Sequence, residues 1–216
     1  WIAFGSGLCT AGIISQLSDV RIVPDQVICV EINPKARSAC EYANPKTATF
    51  PGVTFLYHDI DQVPPDWLRT IASRVTLLIM TTPCSDMSKL SLMEPRNERD
   101  RFRQEAGLCR PGLKGPKGRL MVKALEHMEV LYSVNPDIVT IMENVDYKDL
   151  KEDFEFTCAK MTVKPVILNS ANYSMTHRKR AWWLRGMDGL DADLVIPPDF
   201  RGDPQACMDH GRTVEV

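Results

Sequence analysis

The strongest constraint on this chain is a series of short apolar runs, each closed off by residues that break regular structure. Trp1-Ile2-Ala3-Phe4 ends at Gly5. Val27-Ile28-Cys29-Val30-Glu31 lies between Pro24-Asp25 and Asn33-Pro34. Val53-Thr54-Phe55-Leu56-Tyr57 follows Pro51-Gly52, Leu77-Leu78-Ile79-Met80 runs out at Pro83, and Ile138-Val139-Thr140-Ile141-Met142 follows Asn135-Pro136. Continuous rather than alternating hydrophobicity over so few residues is what a strand covered on both faces requires. Amphipathic stretches near residues 10–18, 34–43, 65–72 and 118–134 separate the runs. In the last of these, Leu120, Ala124, Leu125, Met128 and Leu131 recur at helical spacing. Strand and helix in alternation predict an α/β fold: a mostly parallel, twisted sheet with helices on both faces.

Composition narrows the class. Hydrophobic residues make up 44% and charged residues 25% of 216 positions, enough for a real core in one domain. No apolar run approaches the ~18 residues of a membrane span, and no signal-peptide pattern is present. A first residue of Trp rather than Met is expected of a piece of a longer protein. Seven cysteines, an odd number with no Cys-x-x-Cys pair, argue against a disulfide framework and a structural zinc site. No metal is expected. Net charge is −2, so the sum does not announce a nucleic-acid partner. The distribution does more: residues 89–123 hold ten Lys/Arg against four Asp/Glu, and residues 86–117 form a long polar stretch punctuated by Pro and Gly.

The candidate site residues cluster at predicted strand ends. Phe4-Gly5-Ser6-Gly7 follows the first strand, and a glycine turn entering a helix lets backbone approach a ligand. Glu31 ends the second strand, where a carboxylate can hold ribose hydroxyls, and Asp59 closes the third. The turn lacks a phosphate-gripping lysine, so a nucleoside methyl donor, S-adenosyl-L-methionine, suits it better than a nucleoside triphosphate. Past the fourth strand, Pro83 stiffens the turn that presents Cys84. Glu143-Asn144-Val145 ends the next strand, and Arg178-Lys179-Arg180 opens a later apolar one, Ala181-Trp182-Trp183-Leu184.

Pro-Cys, Glu-Asn-Val and Arg-x-Arg, in this order after a Gly-rich turn, resemble the DNA (cytosine-5) methyltransferases over residues 1 to about 186. Cys84-Ser85-Asp86-Met87-Ser88, Lys117-Gly118-Arg119-Leu120, His177-Arg178-Lys179-Arg180 and Cys207-Met208-Asp209-His210-Gly211-Arg212 are similar to the eukaryotic de novo branch. The resemblance implies a Rossmann-like, class I S-adenosylmethionine-dependent methyltransferase fold. It implies Cys84 as nucleophile, Glu143 contacting the ring nitrogen and exocyclic amine of cytosine with a proton that burial would favour, and Arg180 near the base carbonyl with Arg178 in support. Phe4, Gly5, Ser6, Gly7, Glu31, Asp59 and Pro83 would line the cofactor site.

Further consequences of the resemblance are duplex DNA as partner, a homo-oligomer or a hetero-oligomer with related methyltransferase subunits, and location in the nucleus for a eukaryotic source or the cytoplasm for a prokaryotic or viral one. The basic stretch would then close over a flipped base and meet phosphates. Two departures stand out. Phe4-Gly5-Ser6-Gly7 has an extra residue between Phe4 and Gly7, which leaves the cofactor-loop register open. The family also continues beyond this chain, so residues 187–216 are expected to be a linker and the start of a truncated target-recognition region. Three alternatives remain on sequence alone: a catalytically silent binding module of the same fold, an RNA (tRNA) cytosine-5 methyltransferase, and a dinucleotide oxidoreductase. The last leaves the Pro-Cys and Glu-Asn-Val unexplained.

Overall fold

The computed structural model describes residues 1–5, 24–47, 50–88, 98, 110–169 and 179–187. Strands β1 (Ile2–Phe4), β2 (Val27–Val30), β3 (Val53–Tyr57), β4 (Leu77–Met80) and β5 (Val139–Val145) coincide with the five apolar runs. β6 (Val166–Asn169) and β7 (Lys179–Arg185) complete one sheet in the order β3-β2-β1-β4-β5-β7-β6. All pairs from β3 to β5 are parallel, with Ile2 opposite both Ile28 and Leu78. Among the described strands, β7 runs antiparallel to both its neighbours, β5 and β6, between which it enters. The expected mostly parallel α/β sheet is therefore present, with one reversed strand that the sequence pattern does not announce.

Alternate side chains of β1, β2 and β4 serve different cores. Ile2, Phe4, Leu78, Met80 and Met142 join one cluster. It is covered by α2 (Pro65–Ile71), α3 (Gly118–Tyr132) and α4 (Lys151–Met161), through Leu68, Met121, Ala124, Leu125, Met128, Leu131 and Met161. Ala3, Val27 and Cys29 face the other way, onto Cys40 of α1 (Pro34–Ala43) and Phe50. Full burial of one such Leu or Phe side chain is worth about 1.5–3 kcal/mol, which is why the runs are apolar on both faces. α1 begins where Asn33 caps the amides of Lys35 and Ala36 and Pro34 presets the first turn.

The strand order reverses direction at β1, which has β2 on one side and β4 on the other. In open α/β sheets the crevice at the carboxyl ends of such a pair is where ligands sit. Gly5 lies at that point. Its φ is +67°, and a Cβ there would come 2.7 Å from the Thr81 carbonyl oxygen at the end of β4. Gly5→Ala therefore combines left-handed strain with a backbone clash. We expect a loss of about 2 kcal/mol or more, read as a lower denaturation midpoint in urea at unchanged slope.

The helix expected at residues 10–18, the basic stretch between residues 89 and 109 and the tail after residue 187 lie outside the described residues. Among the described residues no helix is long and apolar enough to cross a membrane, and no cluster of His, Cys, Asp and Glu could hold a metal ion.

Candidate active site at the carboxyl edge of the sheet

Parallel pairing puts the carboxyl ends of β1 to β5 on one edge, so the candidate residues are gathered there by strand direction alone. Phe4, fully buried, ends β1 and Gly5 follows it. Ser6 and Gly7 lie outside the described residues, and so does Arg178. Glu31 follows β2; one carboxylate oxygen accepts from the Asn33 amide at 2.9 Å, while Arg37 donates to the Glu31 and Ile32 carbonyls, both at 2.9 Å. Asp59 follows β3 and caps a short 3-10 turn (Ile60–Gln62) through the Asp61 amide at 3.0 Å. Both carboxylates thus shape their own loops while remaining partly exposed at the sheet edge. Ile32, 62% exposed, sets an uncovered apolar side chain next to Glu31.

The β4 end is held more tightly. The Thr81 amide donates to the Phe4 carbonyl at 3.0 Å, and the Thr81 hydroxyl donates to the Gly5 carbonyl. Thr82 is buried, Pro83 is exposed and Cys84 is half-buried. Asn144 reaches across from β5, its amide donating to the Thr82 carbonyl at 3.3 Å and lying 3.4 Å from the Thr82 hydroxyl. It is 1% exposed. The middle residue of Glu-Asn-Val is therefore a tie between the strands that carry Cys84 and Glu143.

Glu143 projects to the opposite side of β5 from Asn144. In the ladder Glu143 faces Trp182 and Val145 faces Arg180, which makes Arg180 a diagonal neighbour of Glu143. Arg180 Nε lies 2.7 Å from Glu143 Oε1, with side chains 17% and 22% exposed. Reversal of β7 is what delivers Arg180 to this edge: its amino end, not its carboxyl end, sits beside the ends of β4 and β5.

His127, absent from the sequence reading, supports the same edge from below. It is buried on α3, with Nε2 2.9 Å from the Ile60 carbonyl next to Asp59. Arg119 adds a 2.8 Å ion pair to Asp61 on that turn. Burial lowers the His127 pKa below its ordinary 6.5; the bond to Ile60 works against this and Lys123 adds to it. The folded state therefore prefers the neutral ring. The His127 contribution to stability is complete above about pH 6.5 and is lost as pH falls through the lowered folded value. We expect the stability difference between wild type and His127→Gln to shrink from pH 7.5 to 5.5 in urea unfolding; a difference independent of pH would contradict this.

No family model and no curated protein matches the sequence. Among solved structures, the chain is similar to a protein assigned as a DNA modification methyltransferase encoded within an E. coli prophage. The TM-score is 0.50 at 14% identity, covering 85% of this chain and 45% of that one. It is also similar to a protein assigned as an RNA methyltransferase of Pyrococcus horikoshii, with a TM-score of 0.45 at 12% identity, covering 87% of this chain and 73% of that one. The chain spans less than half the length of the first of these. At such identities the likeness is one of fold. The sheet with its reversed β7 is thus the Rossmann-like fold found among methyltransferases.

Proposed function

We propose that this chain is the catalytic core of a DNA (cytosine-5) methyltransferase that works through a covalent adduct of Cys84. The observation that carries the reading is the convergence at one sheet edge of the Cys84 turn after β4, Glu143 on the adjacent parallel β5, and Arg180 paired to Glu143 at 2.7 Å. A plain dinucleotide oxidoreductase has no use for this set.

Carbon 5 of cytosine is a weak nucleophile. Addition of the Cys84 thiolate to carbon 6 converts the ring to an enamine whose carbon 5 can attack an electrophilic methyl group. Glu143 meets the ring nitrogen and exocyclic amine, and a proton shared between its carboxyl and the ring nitrogen offsets the negative charge that builds there. Arg180 orients Glu143 and lies within reach of the base carbonyl. A water molecule acting as base then takes the carbon 5 proton, the bond from carbon 6 to sulfur breaks with Cys84 leaving as thiolate, and the aromatic ring is restored.

Glu31 and Asp59, with Ile32 uncovered beside Glu31, fit a nucleoside: carboxylates for its hydroxyls and polar edge, an apolar surface for its base. S-adenosyl-L-methionine bound there would supply the methyl group. The substrate base must leave the duplex stack, at a cost of about a few kcal/mol. The proposal extends to oligomers with identical or related subunits and to a nuclear location if the source is eukaryotic. The deciding experiment supplies S-adenosylmethionine labelled in its methyl group together with duplex DNA or tRNA. Label in 5-methylcytosine of DNA supports the reading; label confined to tRNA, or absent from both while S-adenosylmethionine binds, overturns it.

A further inference from the structure

The segment that follows Cys84 is clamped from two directions, and the clamp has no part in the chemistry described so far. The amides of Met87 and Ser88 fold back onto the Cys84 carbonyl at 3.0 and 2.8 Å, so residues 84–88 form one tight turn. Asp86 at its centre is a carboxylate only 2% exposed. Its Oδ2 accepts from the backbone amides of Lys117 at 2.7 Å and Gly118 at 3.1 Å. These open α3, whose own N-cap residue Lys117 supplies no side-chain cap. Asp86 thus satisfies donors that a helix start leaves unpaired, and its negative charge meets the positive end of the helix dipole. Its backbone carbonyl also accepts from the Gly112 amide at 3.1 Å.

On the other flank, Arg110 donates to the Met87 carbonyl from Nε at 3.0 Å and Nη2 at 2.8 Å. The same guanidinium holds Asp149, in the loop after β5, at 2.6 and 3.0 Å. The space around the Asp86 carboxylate is closed: a Cβ at Gly115 would lie 2.3 Å from Asp86 Oδ2 and 2.4 Å from Pro111 Cγ. The turn carrying Cys84 therefore has one seat, defined by α3 on one side and the β5 loop on the other.

We propose that Asp86 is a positioning residue for Cys84, with Arg110 as its counterpart: together they aim the thiol by locking its turn to α3 and to the loop beyond Glu143. The inference rests on Cys84 being the nucleophile. An error of about 1 Å in the placement of a reacting group can cost on the order of 10²-fold in rate, whereas substrate affinity, set elsewhere, should hardly move.

The test uses the full chain with Asp86→Asn, which keeps size but removes the charge, and with Arg110→Lys, which removes the planar fork. Expected for Asp86→Asn is a ~10–100-fold fall in kcat on duplex DNA, with KM for DNA and for S-adenosylmethionine changed by less than about threefold. Arg110→Lys should show the same split with a smaller loss. A second readout needs no substrate: iodoacetamide alkylation, quantified peptide by peptide, should change several-fold at Cys84 and stay constant at Cys158. If kcat is unchanged, or falls only in proportion to the folded fraction, or if Cys84 alkylation matches wild type, the inference is wrong. If Asp86→Asn does not fold, Arg110→Lys decides by the same measures. Altered Cys84 alkylation in the variants, with no methyl transfer by the wild-type protein, would uphold the clamp and refute the proposed reaction.

Discussion

Cys84→Ser should abolish covalent capture of a duplex containing 5-fluorocytosine in the presence of S-adenosylmethionine, and should lower methyl transfer by at least ~10³-fold. Fluorine at carbon 5 blocks the proton loss that would release the enzyme, so a wild-type adduct persists and can be seen as a DNA-dependent mass shift. A serine hydroxyl fits the same space but is almost wholly protonated at neutral pH and cannot add to carbon 6 at a useful rate. Stability should barely change, since Cys84 is half-buried and the swap is close in volume. Retained capture in the serine variant would place the nucleophile on another residue.

The second large effect is expected at Glu143. Glu143→Gln preserves shape but removes the charge that pairs with Arg180 at 2.7 Å. Methyl transfer should fall by about 10²–10⁴-fold, the range for a positioned acid or base, with S-adenosylmethionine affinity by calorimetry unchanged. The broken pair should also cost stability, by about 1–2 kcal/mol. That is less than for a fully enclosed pair, because the two side chains retain 17% and 22% exposure. Activity within tenfold of wild type would remove Glu143 from the reaction and reduce the pair to a cross-strand tie.

Much of the frame was legible locally. β1 to β5 fall on the five apolar runs because a strand buried on both faces must be apolar throughout and must stop at breakers. α3 was legible because Ala124, Leu125, Met128 and Leu131 lie on one buried stripe. No local pattern announces α4 or β6. α4 buries only Thr157 and Met161 and is otherwise polar or half-exposed, and β6 is four half-buried residues, so neither carries a periodic signal. Neither Asp86 within its motif nor Arg110 within the basic stretch carries a local sign of its role. Their partners lie 31 and 39 residues away, at Lys117 and Asp149.

The sequence by itself determined five of the strands, β1 to β5, and that they form an α/β sheet, and it put the turn carrying Cys84 and the residue Glu143 at strand ends. Those are properties of short-range pattern: apolar continuity, breakers and residue type. Only the tertiary structure decided that β7 runs backwards beside β5, that Arg180 therefore meets Glu143, and that Asp86 seats the Cys84 turn on α3. Strand order and direction are set by how separate apolar faces share one core, and no local pattern encodes them.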